Sequence, residues 1–507
     1  MRPHVERLTA SFVAAVAFGA CHDGSVRLEL DVPASDALDP LAGAQAITLS
    51  AKDGAGARVF SATIDVPERG AALGFGEVPV RDDLWFELQA SAAAGRVVGF
   101  GRSTTAIDVS DDAEVRVPVR VRRPFAYVAG SDALVTIDAA REPGEDYVSS
   151  IAIGGAVRAV AATFDGAEVV VATEAAVRLV STRTHAALPG EVVLPGAPAA
   201  LAVSPDGRWA AIVHPDPPSG LSLVDLAALR AGAPVAPTFV AIATPGAIGI
   251  GGGVVWVLVA PLTSLFCGGA SSVIAVPLDA PAPSSPIALP ARASDLAVDP
   301  VSGAAVVAVT CGDMVMAVDD PGATPRLVLA RPGLGAVTVA DGRVWIAGHV
   351  DGADAHLTLT DVSLDGADVR TLDLPTTEER AVAVALEQMG QEGQIALTAD
   401  LHTAFAVSVL PDRAHVAILD IAVYIGEAQG DAGGGRPVVP AMQMVSYDYQ
   451  LVRRDTGLSA QRLRLSCNIA WKPGALLDAF RCARAPGQDE VAAPFEATDL
   501  SVLHGSR

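Results

Sequence analysis

Residues 199–226 read AALAVSPDGRWAAIVHPDPPSGLSLVDL, and their punctuation decides the fold. An apolar LAV leads into a tight turn at Ser204-Pro205-Asp206-Gly207. WAAIV then leads into a loop from His214 to Gly220 with three prolines, and LSLVDL follows it. Strands this short and this apolar on both sides need neighbours in a sheet and cover on both faces. A single such unit is therefore not a domain, and the architecture depends on how often the unit recurs.

It recurs from Phe125 onward. Aligned on the second strand, the units are FAYVAGS (125–131), VVVATE (169–174), WAAIVHP (209–215), VWVLVAP (255–261), AVVAVTCG (305–312), VWIAGHV (344–350) and QIALTAD (394–400). An apolar strand and a tight turn precede each unit except the first: VAATF, LAVSP, IGIGG, LAVDP, VTVAD and VAVAL. A loop and a third strand follow, and a less regular fourth strand, such as YVSSIAI or VAILDIAV, leads into the next unit. Four-stranded units at a period of about 40–48 residues predict an all-β chain built as a β-propeller. The first unit lacks its innermost strand, and MQMVSYDYQLV (442–452) is spare. The expectation is a seven-bladed ring over 124–452 in which that strand completes the first blade and leaves no open sheet edge.

FAYVAGSDALVTIDAA and AVSPDGRWAAIV resemble repeats of the YVTN family of β-propellers, whose units carry an SPDG turn before the second strand. The resemblance spans residues 125–425 and implies a fold, not an activity. Only the unit at Ser204 keeps the whole turn; Phe164-Asp165-Gly166, Asp299-Pro300 and Ala340-Asp341-Gly342 stand in its place elsewhere.

Ahead of the repeats, residues 21–123 hold six or seven alternating strands, among them VRLELDV, AITLSA, LWFELQA and EVRVPVRVRR, separated by turn residues. This predicts a small β-sandwich of immunoglobulin-like or transthyretin-like kind. Val115, Val117, Val119 and Val121 alternate with Arg116, Pro118, Arg120 and Arg122, which predicts one buried and one wetted face, and Arg122-Arg123-Pro124 marks the boundary. After the repeats, residues 453–507 form an extension in which Cys467 and Cys482 are close enough in sequence to staple it. Residues 427–440, with Gly433-Gly434-Gly435, read as a flexible insertion.

The chain has 507 residues, of which 51% are apolar and only 5% aromatic, so many thin strands fit better than a few bulky elements. It carries 35 Lys and Arg against 58 Asp and Glu, a formal charge of −23, which argues against nucleic acid as a partner. Arg2 and Arg7 precede an apolar run, Leu8 to Ala20, that is too short to span a bilayer and suits the core of a signal peptide over 1–20. The run ends in Phe18-Gly19-Ala20-Cys21, which resembles the lipobox of bacterial lipoproteins, with Phe18 in place of the usual aliphatic residue. The resemblance implies lipidation at Cys21 and a membrane partner through that anchor. His22 stands where an Asp would signal inner-membrane retention, so the expected address is the outer membrane of a bacterial cell envelope. Four cysteines remain, an even number suited to two disulfides in an oxidising compartment.

Cys267 and Cys311 fall in the loops after the second strands of adjacent units, which predicts a disulfide enclosing 44 residues. The same loops gather the ligand-face candidates His214, Asp216, Asp313, His349, Asp351, Asp354, His356, Asp400 and His402. Imidazole with carboxylate is a ligand set for a divalent metal, yet no pair shows HxH or HxxxH spacing, so no metal or other cofactor is assigned. Arg158, Asp295, Glu379 and Arg380 stand where innermost strands begin, as candidates for the channel mouth. No GxSxG elbow, Walker A loop or HExxH is present, and Gly249-Ile250-Gly251-Gly252-Gly253 lacks the following helix of a phosphate cradle. The reading is a non-enzymatic envelope lipoprotein whose propeller is a binding or scaffold platform for a protein, peptide or glycan. The alternative is a metal-dependent, lactonase-like or lyase-like propeller enzyme with its site over the channel.

Overall fold

Alternating apolar residues place eight strands between residues 23 and 122: β1 (Asp23–Asp31), β2 (Ala46–Lys52), β3 (Arg58–Asp65), β4 (Leu73–Pro79), β5 (Arg81–Ser91), β6 (Val97–Ser103), β7 (Ile107–Val109) and β8 (Glu114–Arg122). The computed structural model describes residues 23–374 apart from segments 54–57, 67–72, 93–96, 104, 111–113, 130–132, 139–147, 234–235, 260–266, 268, 341 and 351–355. After residue 374 it describes strands only, so the expected signal peptide and Cys21 lie outside the described residues.

The leading strands do not split into the two sheets of a sandwich. They hydrogen-bond along one path, β3-β2-β5-β6-β8-β1-β4, with β7 beside β5. The ends of the path, β3 and β4, lie side by side without a ladder, so the sheet is barrel-like and nearly closed. Its inward residues, including Val26, Leu28, Ile47, Leu88 and Phe86 with Val117, Val119 and Val121, form one core.

Among the described residues seven further sheets follow. The first holds β9 (Phe125–Ala129), β10 (Ala133–Asp138) and β11 (Val148–Ala152). The second holds β12 (Val157–Ala162), β13 (Glu168–Thr173), β14 (Ala176–Ser181), β15 (Ala186–Ala187) and β16 (Val192–Val193). The third is β17 (Ala200–Val203), β18 (Trp209–His214), β19 (Gly220–Asp225) and β20 (Thr238–Ala241). The fourth is β21 (Pro245–Gly251), β22 (Val254–Val259), β23 (Ser272–Pro277) and β24 (Ile287–Ala288). The fifth is β25 (Asp295–Val298), β26 (Ala305–Val309), β27 (Met314–Val318) and β28 (Arg326–Ala330). The sixth is β29 (Leu334–Ala340), β30 (Arg343–Val350), β31 (His356–Ser363) and β32 (Val369–Leu374). The seventh contains β33 (Gln394–Leu397), β34 (Thr403–Leu410), β35 (Arg413–Asp420), β36 (Met442–Arg454), β37 (Gly457–Ile469), β38 (Phe480–Arg484) and β39 (Glu490–Ala492). The last strand, β40 (Leu500–Val502), returns to pair with β9 in the first sheet.

The first strands of successive sheets are neighbours in the order β12, β17, β21, β25, β29, β33, β40 and back to β12, a cyclic, propeller-like arrangement. Separate apolar clusters join adjacent sheets. Val170 and Leu179 meet Leu201 and Ile212, Val213 and Leu223 meet Ile250 and Val257, and Leu258 and Val273 meet Leu296 and Val307. Both faces of the third and fourth sheets are therefore used, which explains the lack of a polar side in their strands.

Two strand positions differ from expectation for one reason. QIAL is the innermost strand of the seventh sheet, β33, and not its second; FAVSVL and the strands after it move outward by one place. MQMVSYDYQLV then becomes the fourth strand, paired with β35 and β37, and the strand beside β9 is Leu500–Val502. QIAL is apolar enough for either place, and only pairing decides. VAVAL, expected as that innermost strand, lies outside the described residues.

The Gly249 run is packing, as its missing helix implied. A Cβ on Gly249 or Gly251 would come within 2.5 Å of a Val298 methyl in the next sheet, while Gly252 and Gly253 turn the chain at φ 56 and 74. The buried Trp256 indole N–H donates across the same junction to the Gly303 carbonyl at 3.0 Å.

Since β40 supplies the neighbour that β9 otherwise lacks, removing residues 500–507 should expose that edge. The expected outcome is a lower melting temperature and concentration-dependent aggregation by light scattering; an unchanged melting curve would contradict the pairing.

Candidate functional site

Each sheet has two ends. The turns between its first and second and between its third and fourth strands share one end; the loop between its second and third strands lies at the other. The two ends are chemically different.

At the turn end, short side chains hold the backbone. Ser204 Oγ accepts from Trp209 N–H at 2.8 Å, Asp206 accepts from Arg208 N–H at 3.0 Å, and Gly207 takes φ 67. Thr163 and Asp165 repeat the arrangement one sheet earlier. These residues are occupied in making the turn.

The leading sheet docks on this end of the second sheet through arginines at its C-terminal edge. Arg120 Nη1 bonds the Asp165 carboxylate at 2.5 Å. Arg122, 2% exposed, bonds Thr182 Oγ1 at 3.0 Å, Asp31 Oδ2 at 3.0 Å and the Asp31 carbonyl at 2.7 Å. Arg123 pairs with the buried Asp138 at 2.9 Å and donates to the Asp39 carbonyl at 3.0 Å. Arg102, held by Glu87, lies over the Phe164 ring at 4.7 Å. The wetted face expected for β8 therefore holds for Arg116 and Pro118 only; Arg120 and Arg122 are covered by the second sheet.

Beneath this contact lies a pair, one member buried and the other half-buried, that spacing did not suggest. Tyr127 is fully buried, its hydroxyl 3.1 Å from His185 Nε2, and Phe125 meets the His185 ring edge-on at 4.5 Å. Burial, with help from Arg122, lowers the His185 pKa to about 4. Burial also raises the Tyr127 pKa, so the pair is neutral around pH 7. The only signal in the sequence was one more Phe-x-Tyr alternation, which every strand shares.

At the loop end, Cys267 and Cys311 form a disulfide with Cα atoms 5.3 Å apart, joining the fourth and fifth sheets as expected. A 3₁₀ turn, Thr310–Gly312, presents Cys311, and Asp313 closes it in a left-handed conformation at φ 49 with its side chain exposed. The Pro-rich loop exposes Asp216, but His214 is buried beneath it. His214 Nδ1–H donates to the Ala197 carbonyl at 3.3 Å, which leaves Nε2 to accept from Ser222 Oγ at 2.8 Å. Burial lowers its pKa, against the opposing pull of the Ala197 and Gly196 carbonyls. His214 is thus a satisfied core residue with no nitrogen to offer a ligand.

The other candidates separate. His349 and His356 lie at the loop end of the sixth sheet, near the paired Val350 and His356 positions. Asp351, Asp354, Asp400 and His402 lie outside the described residues. At the channel mouth Arg158 pairs with Glu174. Asp295 Oδ2 accepts from Val337 N–H at 2.8 Å and Oδ1 from Leu296 N–H at 2.8 Å, so it links two innermost strands. Burial raises the Asp295 pKa to about 6. Glu379 and Arg380 lie outside the described residues. Among the described residues no group of three or more His, Cys, Asp or Glu is placed to hold a metal ion.

Two expectations follow. His185 binds a proton less readily folded than unfolded, so its contribution is complete above about pH 6.5 and is lost as pH falls through about 4. Asp295 runs the other way, its contribution present below about pH 4 and lost as pH rises through about 6. The difference between the melting temperatures of wild type and His185→Asn should therefore shrink as pH falls from 6.5 to 4, by the equivalent of about 2 kcal/mol after allowing for partial exposure; a constant difference would contradict the half-buried neutral histidine. Replacing both Cys267 and Cys311 by Ser should cost up to about 4 kcal/mol, read by denaturant unfolding at the loop spacing of 44 residues.

No family model matches the chain, and no curated protein matches it. Among solved structures it is similar to hydrazine synthase of Kuenenia stuttgartiensis, with TM-score 0.42 and 15% identity over 54% of this chain and 80% of that one. It is similar to dihydro-heme d1 dehydrogenase NirN in complex with DHE, with TM-score 0.41 and 15% identity over 75% of each. Regucalcin, a calcium-binding protein of Agrobacterium tumefaciens strain C58, gives TM-score 0.32 and 13% identity over 54% of this chain and 86% of that one. These are propeller-type proteins, enzymes and a binding protein among them, at identities that carry no chemistry across.

Proposed function

We propose that the chain is a non-enzymatic lipoprotein of the bacterial cell envelope whose loop end is a binding or scaffold platform for a protein, peptide or glycan. In this reading residues 1–20 are a signal peptide, Cys21 carries the lipid at the outer membrane, and the leading sheet is a rigid stalk. The seven later sheets are the blades of a seven-bladed propeller closed by β40.

The observation that supports it is the opposition of the two ends. The stalk is held to the turn end of the second sheet by Arg120 and Arg122, whereas Cys267 and Cys311 brace loops at the other end. A stalk fixed at one end directs the other away from its anchor. A covalent brace there lowers the entropy cost of ordering loops on binding. Asp216 and Asp313 are exposed at that end.

Two measurements test it. Mass spectrometry of the mature protein should find a diacylated or triacylated Cys21, and a Cys21→Ser variant should leave the membrane fraction; an unmodified mature chain beginning elsewhere would refute the anchor. A photo-crosslinking residue in place of Asp216 should capture a defined envelope component in cells, whereas the same residue in place of Asp206, at the opposite end of the third sheet, should not. Equal capture from both would overturn the platform. Stoichiometric divalent metal lost on replacing His349 would favour the enzyme reading.

A further inference from the structure

The seventh sheet runs past its fourth strand. β37 pairs along the whole of β36, and its other edge is shared by β38 over Leu465–Ile469 and by β39 over Ser459–Gln461. The main packing partners of these outer strands are one another and β35.

Residues alternate between the two faces of a strand, so register alone sorts them. On one face fall Arg453, Tyr449 and Tyr447 of β36, Arg462 and Arg464 of β37, and Arg481 of β38. Tyr447 stands opposite Arg464 and Tyr449 opposite Arg462. The acidic residues of β36–β39, Asp448 and Glu490, both belong to the other face, opposite Leu463 and Gln461. Residues 442–484 contain seven Lys or Arg against three Asp or Glu, a local balance of 7 − 3 = +4 in a chain of net −23. Arg454 and Arg484 fall on the other face, opposite Gly457 and Leu465, so the first face carries four arginines, both tyrosines and no acidic residue of β36–β39.

We propose that this face binds an acidic polysaccharide of the uronic acid type, one acidic sugar to each Tyr–Arg pair. Directly opposite positions on antiparallel strands lie about 5 Å apart, and the pair repeats two residues along, at about 6.7 Å. Each pair offers what one uronic acid needs: a guanidinium for the carboxylate and a flat aromatic for the apolar side of the ring. A peptide adding as a strand would need the edge of β37, most of which β38 and β39 occupy. The proposal is independent of the loop-end platform, since it concerns a different surface.

The test uses the full chain and polygalacturonate, with its neutral methyl ester as control, followed by calorimetry. Binding is expected for the acid and not for the ester, and it should weaken as salt rises. R462A/R464A and Y447A/Y449A should each weaken it about tenfold or more, with an unchanged melting temperature. Should an alanine pair fail to fold, R462K/R464K keeps the charge and loses the two-pronged contact, and should bind measurably more weakly than wild type. Absence of binding, equal binding of the ester, or full binding by a folded arginine variant overturns the proposal. So does preference for single-stranded DNA or for phosphatidylglycerol vesicles over polygalacturonate. Loss of crosslinking from Asp216 bears only on the loop end and leaves this result unaffected.

Discussion

Three residue pairs close the molecule: Leu500 with Val128, Ser501 with Tyr127 and Val502 with Ala126. Strands that are apolar on both sides tolerate neither an open edge nor an uncovered face. A linear stack of such sheets would leave a raw surface at each end; a cycle leaves none. β40 also lies beside β33 and β12, so the last strand of the chain forms the junction between the seventh sheet and the second. Because the partners are separated by about three quarters of the chain, this contact carries a loop-closure cost and is rewarded only once the intervening sheets are in place. Cooperativity of the whole repeat region therefore rests on a ladder three residues long.

The second constraint is electrostatic. Arg122 and Arg123 are almost wholly removed from water, and an unpaired buried guanidinium is far too costly to persist. Each is matched by a carboxylate and by carbonyl oxygens, drawn from β1, from the segment after it and from β10. Arg122 keeps a pKa lowered by burial and restored in part by Asp31, which marks how much the pairing has to offset. Such groups add little net stability over an apolar contact of the same size, but they fix geometry, because few orientations satisfy every donor. The leading sheet is consequently not a tethered neighbour. Its last strand continues directly into β9 at Phe125, and the arginines set the angle at which it does so.

Much of this was legible in the sequence. The period of the repeats, the short strands and the position of Cys267 and Cys311 in equivalent loops all followed from spacing, because equivalent loops of neighbouring sheets come close enough for the 5.3 Å Cα separation a disulfide needs. What failed to show was whatever depended on partners. QIAL fits an inner strand or a second strand equally well, so the frame of the seventh sheet slipped by one place and carried the closing strand with it. Arg120 and Arg122 alternate with valines just as a wetted face would, and only the second sheet reveals that they are covered. His214 looks like a loop ligand until Ala197 and Ser222 are found on its two nitrogens. Alternation reports which side of a strand a residue takes and says nothing about what arrives on that side.

The junction between the fourth and fifth sheets shows how local composition and bracing compensate. Gly249 and Gly251 let the two inner strands approach until Val298 fills the space a side chain would have taken. That closeness costs apolar area near the channel, since glycine brings none, and it adds backbone freedom to the unfolded state. Two other contacts act at the same junction from different heights. The Trp256 indole is bonded to Gly303 at the turn end, and the disulfide joins the sheets at the loop end. One restricts the native arrangement through a directional bond in a dry interior, the other restricts the unfolded chain. With both ends of the junction tied, the glycine-rich middle can remain thin without allowing the sheets to slide. The loops above it inherit a fixed separation from a junction that Leu258, Val273, Leu296 and Val307 also pack with apolar side chains.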